Sequence, residues 1–189
     1  MLSRTHATVG AVTALAVACV THVDPVMSVV AGGLGGLAPD VDSKRSKGSQ
    51  FAIRFTAAVV VGVVAMIVRG KQTGIGIELS KNVIALIALA ALLMWGHNQK
   101  HRGPTHSLVC MVLFSLPVFV LQPTWGIAWL VGYASHLAID LLNTRGEQLL
   151  FPSSKRFCFN VCKAGGVVDN ALGTCACLVL VVVFSVKFV

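Results

Sequence analysis

Long apolar stretches without Asp, Glu, Lys or Arg organise this chain. Six such stretches are present, at residues 7–21, 25–39, 55–68, 82–96, 107–135 and 170–186. A helix needs roughly 20 mainly apolar residues to cross the hydrocarbon core of a bilayer. The stretch at 107–135 is too long for one span and contains Gln122-Pro123-Thr124, so we divide it into two helices joined by a tight turn.

These stretches predict an all-α fold, a polytopic transmembrane bundle of roughly five to seven helices in a single membrane-embedded domain over 1–189. The predicted helices cover residues 7–22, 25–38, 52–68, 82–97, 106–121, 125–143 and 168–186. The first two are short for full spans and are expected to form a tilted or re-entrant hairpin. The glycine-rich run at 32–36 permits close helix packing or an irregular backbone there.

The composition excludes an ordinary soluble protein, because only 12% of the residues are charged, against about 25% in soluble domains. The net charge of +8 suits membrane orientation and attraction to anionic lipid head groups. We therefore expect membrane lipid as a partner and no nucleic acid, and the oligomeric state stays open.

Basic residues are distributed unequally between the two ends of the predicted bundle. If the connecting segments alternate between faces, ten fall on one face and four on the other, with Arg54 left inside a helix. The basic face is expected to lie in the cytoplasm. A multi-pass protein of the bacterial inner membrane is the resulting prediction.

Ionisable residues at helix ends carry the predicted chemistry, because burying such groups in a membrane is costly without a partner or a cavity. The same alternation brings seven of them to the cytoplasmic face: His6, Asp40, Asp42, His101, His106, His136 and Asp140. His136 and Asp140 are four residues apart and therefore neighbours on one helix face. Gly103-Pro104 separates His101, on the entering loop, from His106, at the helix start.

Imidazole nitrogens with carboxylate oxygens favour a divalent transition metal, zinc first and manganese or iron as alternatives. Six residues are predicted as ligands: His6, Asp40, His101, His106, His136 and Asp140. Asp42 is assigned a bridging or orienting role and Arg102 an electrostatic role in catalysis. Seven candidates exceed the needs of one tetrahedral site, so two ions are allowed. Arg102, Arg145, Lys155 and Arg156 lie near the same face and are candidates to hold a phosphate.

The remaining polar and sulfur-containing residues are given structural roles. The six cysteines are interpreted as apolar filler rather than ligands, because most lie inside apolar stretches and their spacing contains no matching pairs. Asp24 and Asp169 are expected at helix boundaries. Glu78 and Glu147 are expected to be solvated.

Four strings containing these residues resemble the YdjM family: Thr5-His6-Ala7-Thr8-Val9-Gly10, Leu37-Ala38-Pro39-Asp40-Val41-Asp42, His101-Arg102-Gly103-Pro104-Thr105-His106-Ser107 and Gly132-Tyr133-Ala134-Ser135-His136-Leu137-Ala138-Ile139-Asp140. Gly146 and Leu149-Leu150-Phe151-Pro152 extend the resemblance, so that it covers about 5–156. It implies a bacterial inner-membrane protein described as a metal-dependent hydrolase, more loosely similar to zinc-dependent phospholipase C proteins.

The leading hypothesis is a membrane-bound metal-dependent hydrolase that cleaves a phosphoester of a lipid or amphipathic substrate. One alternative is a metal-ion or proton transporter, which the concentration of ionisable residues at one face disfavours. Another is a non-catalytic membrane protein whose metal site fastens helix ends together, and this alternative requires the same ligands.

Overall fold

A computed structural model describes residues 1–44, 46–73 and 80–188. The described residues form seven α-helices and two short 3-10 turns, with no strand among them. The helices are α1 (Ser3–Thr21), α2 (Pro25–Leu37), α3 (Lys47–Thr73), α4 (Lys81–His97), α5 (Leu108–Leu121), α6 (Pro123–Asp140) and α7 (Val167–Phe188). The 3-10 turns are Pro39–Asp42 and Pro104–His106. The predicted all-α bundle is confirmed.

Local sequence signals set several helix ends. Asp24 accepts hydrogen bonds from the backbone N–H groups of Val26 and Met27 at the start of α2, so its predicted boundary role is confirmed. Ser107 caps α5 in the same way through the N–H of Cys110. The long apolar stretch divides at Gln122, as predicted, because Pro123 cannot continue the helix that precedes it.

Small residues bring α1, α2 and α6 into close contact. A side chain added at Gly36 would overlap the carbonyl oxygen of His6 in α1, and one added at Gly132 in α6 would overlap that of Gly32. The predicted close packing at the glycine-rich run is therefore confirmed, and the run is regular helix. This contact places His6 of α1 beside the last turn of α2.

The main hydrophobic core lies between α4, α5 and α6. Leu93, Phe114, Trp129 and Tyr133 are buried there, and the rings of Phe114 and Tyr133 meet edge to face with their centroids 6.0 Å apart. The Tyr133 hydroxyl donates a hydrogen bond to the carbonyl oxygen of Thr105. The core thus anchors the 3-10 turn that contains His106.

Two helices are long and apolar enough to cross a membrane, by length and composition: Lys47–Thr73 and Val167–Val186. Their outward faces leave large apolar side chains exposed, including Val61 and Val64 in α3 and Val182 in α7. α2 has 13 residues and so rises about 20 Å, short of a hydrocarbon core of about 30 Å. α1, with 19 residues, begins earlier than predicted.

The segment between α6 and α7 folds back beneath the helix ends. Glu147 and Phe157 exchange two backbone hydrogen bonds, and the N–H of Leu108 donates to the carbonyl oxygen of Leu149 at 3.0 Å. These contacts hold residues 141–166 against the start of α5. The segment therefore covers the end of the bundle where the candidate ligands lie.

Candidate metal centre

Two buried histidines point one ring nitrogen toward each other. Nε2 of His136 lies 3.4 Å from Nε2 of His106, and both side chains are fully buried. Nδ1 of His136 lies 2.7 Å from the carbonyl oxygen of Gly36, an acceptor only, so this nitrogen carries the proton. Nε2 of His136 therefore keeps its lone pair free on the side that faces His106.

Asp40 completes a triangle of donor atoms with these nitrogens. Its Oδ1 lies 3.8 Å from Nε2 of His106 and 3.9 Å from Nε2 of His136. Ligands about 2.1 Å from an ion at tetrahedral angles stand about 3.4 Å apart, and wider angles increase the separation. The triangle therefore has the dimensions of three ligands around one divalent ion.

Asp42 orients the neighbouring groups. Its Oδ2 accepts hydrogen bonds from the Thr105 hydroxyl at 2.7 Å and the Arg102 N–H at 3.0 Å, and lies 3.3 Å from Nδ1 of His106. A carboxylate behind the far nitrogen of a ligating histidine fixes the ring orientation and raises its basicity. Asp42 therefore lies where it can hold the His106 ring, and its bridging or orienting role stays a prediction.

His101 lies at the edge of this centre. Its Nδ1 is 2.8 Å from Oδ1 of Asp42, and its side chain is 43% exposed. The described residues contain three groups whose ligand atoms lie within 4.8 Å of one another, and His101 belongs to none of them. Those groups are His6–Asp40–His136, Asp40–Asp42–His106 and His106–His136–Asp140–Glu147.

Asp140 joins the centre to its basic neighbours. Its Oδ2 accepts a hydrogen bond from the Arg102 guanidinium at 2.7 Å, and its Oδ1 lies 3.2 Å from Nε2 of His6 and also contacts the Met1 amino group. The His6 ring stacks on the His136 ring with centroids 3.5 Å apart, yet neither His6 nitrogen makes a hydrogen bond. His6 is thus a fully buried imidazole whose Nε2 has the ion-pair contact with Asp140 and whose Nδ1 has no hydrogen-bond partner among the described residues.

The carboxylates of one 3-10 turn and the imidazole of the other stabilise each other's charged forms. Burial raises the pKa of Asp42, but hydrogen bonds with His101 and His106 outweigh it and lower the pKa to about 2. Burial lowers the pKa of His106, but the carboxylates of Asp40 and Asp42 raise it to about 10. A divalent ion would displace the His106 proton on binding, because the ligand must be neutral imidazole.

The burial of Glu147 contradicts one expectation from the sequence. It was expected to be solvated, but it is fully buried, and burial raises its pKa to about 8. The reason is the path of residues 141–166, which turns the Glu147 side chain inward beneath the helix ends. The sequence signal was weak, because Glu147 stands in a polar loop after Gly146. Glu78, which shared this expectation, lies outside the described residues.

A cavity of about 480 Å³ opens beside the centre. Its lining includes His101, Arg102, Arg145 and Lys163, and its other members are Met1, Asn143, Thr144 and Ala164. Arg102 connects the cavity to the centre through Asp140. Of the basic residues predicted to hold a phosphate, Arg102 and Arg145 line the cavity, whereas Lys155 and Arg156 are not part of its lining.

The cysteines take no part in the three ligand groups found among the described residues. All six are free thiols, and Cys110 and Cys162 are buried. The interpretation of these residues as structural agrees with this placement for the buried pair. Cys158, Cys175 and Cys177 are exposed.

Comparison with known proteins identifies the family. The model of the YdjM inner membrane protein family matches residues 1–188. A relative named Uncharacterized protein YvsG, from Bacillus subtilis (strain 168), is 28% identical over 159 residues, which are 82% of this chain and 76% of that protein. No solved structure matches the chain. The chain belongs to the YdjM inner membrane protein family.

Proposed function

We propose that this membrane protein is a metal-dependent hydrolase that cleaves a phosphoester of a lipid or other amphipathic substrate at the cytoplasmic face. The observation that supports it is the triangle formed by Nε2 of His106, Nε2 of His136 and Oδ1 of Asp40, with edges of 3.4, 3.8 and 3.9 Å. Both histidines have their other nitrogen engaged by an orienting acceptor.

The chemistry of these donors fits zinc first and manganese or iron next, because nitrogen and oxygen ligands without thiolate suit all three. A divalent ion in such a site supplies Lewis acidity and an activated water for attack on phosphorus. His106, His136 and Asp40 would hold it, and Asp42 would keep the His106 ring in position. His6, stacked on His136, is a further nitrogen donor within reach.

The adjoining cavity supports the proposed substrate class. Its volume of about 480 Å³ lies within the range of about 300–1,000 Å³ common for small-molecule sites. Arg145 and Lys163 line it together with His101 and Arg102, so it favours an anion. The Arg102 guanidinium is already bound to Asp140, so we assign it mainly to positioning Asp140 and assign phosphate binding to Arg145 and Lys163.

The cytoplasmic orientation and the multi-pass topology complete the proposal. They rest on the ten-to-four distribution of basic residues between the two ends of the bundle. The ligands and the cavity lie at the more basic end. The substrate would therefore approach from the inner leaflet or from the cytoplasm.

The experiment measures metal content and phosphoester hydrolysis by the purified protein in liposomes. We expect at least one equivalent of a divalent transition metal, hydrolysis that stops on chelation, and loss of both in His136→Ala. His22→Asn is the control, because His22 is exposed at the other end of α1 and asparagine tolerates its left-handed backbone. Metal accumulation inside liposomes without hydrolysis would favour transport, and unfolding on chelation without hydrolysis would favour a structural metal.

A further inference from the structure

Glu147 is a buried carboxyl group that forms no ion pair with a cationic side chain among the described residues. Its side chain is fully buried beside Asp140, and no described residue donates a hydrogen bond to Oε1 or Oε2. The other buried carboxylates of the centre differ, because Asp42 has the donors Thr105 and Arg102, and Asp140 has Arg102. A buried carboxylate without partners is costly, so its position calls for a cation or a proton.

The backbone holds Glu147 firmly in this position. Its N–H donates to the carbonyl oxygen of Phe157 at 3.0 Å, and its own carbonyl oxygen accepts from the N–H of Phe157 at 2.9 Å. Two residues later, Leu149 is bound to the start of α5. Glu147 is therefore anchored on both sides and is not a loop residue that has turned inward by chance.

The side chain is directed at the metal centre. A carboxylate oxygen of Glu147 and one ligand atom each of His106, His136 and Asp140 all lie within 4.8 Å of one another. His106 and His136 also form two corners of the triangle with Asp40. The triangle and the Glu147 group therefore share His106 and His136.

We propose that Glu147 is a carboxylate ligand of the ion held by His106 and His136. This rests on the metal centre in the proposed function and adds a ligand from a part of the chain outside the four motif strings. Charge supports the assignment. Asp40, Asp42, Asp140 and Glu147 are buried together, and the Arg102 guanidinium and the Met1 amino group both pair with Asp140. A divalent ion would offset charge on the other carboxyl groups.

The test compares metal affinity and ligand-field spectrum in wild type and Glu147→Gln, which keeps the size of the side chain and removes its charge. We expect Zn²⁺ affinity, measured against a competing chelator, to fall at least about 100-fold in Glu147→Gln. The visible absorption of the Co²⁺-substituted protein should change as one oxygen ligand is lost. Unchanged affinity together with an unchanged Co²⁺ spectrum would overturn the assignment and leave Glu147 as a neutral hydrogen-bond donor.

Asp169→Asn is the matched control. Asp169 is also fully buried with one unpartnered oxygen, but its other oxygen accepts from the N–H groups of Leu2 and Gly165, and it belongs to none of the ligand groups among the described residues. We expect its Zn²⁺ affinity to stay within about 3-fold of wild type, even if its melting temperature falls. An equal loss of Zn²⁺ affinity in both variants would show that a change at any buried carboxyl group weakens binding. That result would overturn the assignment.

A second variant tests the assignment if Glu147→Gln does not fold. Glu147→Asp keeps the charge but shortens the reach by one methylene, so Zn²⁺ affinity should fall while the circular dichroism of the helices stays the same. Unchanged Zn²⁺ affinity in Glu147→Asp would overturn the assignment. A wild-type protein without any metal would defeat the proposed function as well, whereas bound metal without hydrolysis would defeat only the enzyme and leave Glu147 to be judged by its effect on affinity.

Discussion

The carbonyl oxygen of Gly36 accepts a hydrogen bond from Nδ1 of His136 at 2.7 Å, joining the last turn of α2 to the candidate metal centre. The same glycine packs against the backbone of His6. One backbone position therefore sets both the approach of α1 to α2 and the direction of the His136 ring. The packing of α1 against α2 and the orientation of the His136 ring are therefore coupled at Gly36.

This coupling predicts the effect of Gly36→Ala. The added methyl group would overlap the His6 carbonyl oxygen, so α1 and α2 must separate and the Gly36 carbonyl must move away from His136. We expect a loss of about 1–3 kcal/mol in the free energy of unfolding and a Zn²⁺ affinity about 10-fold lower. Thermal unfolding and chelator competition measure the two effects.

Gly62→Ala is the control for that change. Gly62 lies in α3 with open space around it, so alanine has nothing to displace. Alanine is a better helix former than glycine, by roughly 0.5–1 kcal/mol. Stability should therefore stay the same or rise, and equal losses in Gly36→Ala and Gly62→Ala would contradict the packing argument.

We expect Asp42→Asn to weaken metal binding, although Asp42 acts through His106 and not as a ligand of the ion. The change removes the charge behind Nδ1 of His106. It also places an amide where Thr105, the Arg102 N–H, His106 and His101 all contact the carboxylate. Removing such a supporting carboxylate lowers metal affinity or activity by about 10- to 100-fold. Isothermal titration with Zn²⁺ measures the difference.

Asp24→Asn makes the same chemical change at the other end of α2. Asp24 caps that helix, and asparagine is an equally good cap, so neither stability nor Zn²⁺ affinity should change by much. A loss of Zn²⁺ affinity in this variant would mean that net charge, rather than the contact with His106, governs binding.

The basic cavity predicts a selective effect of Lys163→Glu. Lys163 lines the cavity, and a carboxylate there would repel an anionic substrate. We expect KM for a phosphoester to rise about 2- to 5-fold with little change in kcat, and the difference to shrink at high salt. Lys155→Glu makes the same change in net charge outside the cavity lining, and a similar rise in its KM would argue against a specific anion site.

The proposed orientation predicts opposite labelling of the two ends of the bundle. Ser154 lies in the exposed part of the segment between α6 and α7, and Gln72 is exposed in the last turn of α3. In a background without native cysteines, Cys at position 72 should react with an impermeant maleimide in intact spheroplasts. Cys at position 154 should react only after permeabilisation, and the reverse pattern would invert the orientation.

The sequence alone determined the helices, because apolar side chains and helix-ending residues act locally. The predicted helix at 82–97 is observed as Lys81–His97, and the break at Gln122 follows from Pro123. The four-residue spacing of His136 and Asp140 also placed them on one helix face. Five of the predicted ligands belong to the three groups, and the predicted alternation of helices had assigned all of them to one end of the bundle.

The tertiary structure alone decided which atoms face one another. Asp40 and Asp42 are equivalent in the sequence, but the 3-10 turn directs Asp40 toward Nε2 of His106 and Asp42 toward Nδ1 of the same ring. The path of its loop likewise decides that His101 lies outside the three ligand groups. Side-chain direction in short turns depends on long-range contacts, such as the hydrogen bond between Tyr133 and Thr105.

Glu147 is the clearest example of a residue whose position depends on long-range contacts. Nothing in its local sequence distinguishes it from a solvated glutamate, because its burial depends on backbone bonds to Phe157 and on the attachment of Leu149 to Leu108. Apolar patterning determines where helices form, because each side chain responds to its immediate surroundings. The inward turn of a loop is decided only when distant segments have packed together.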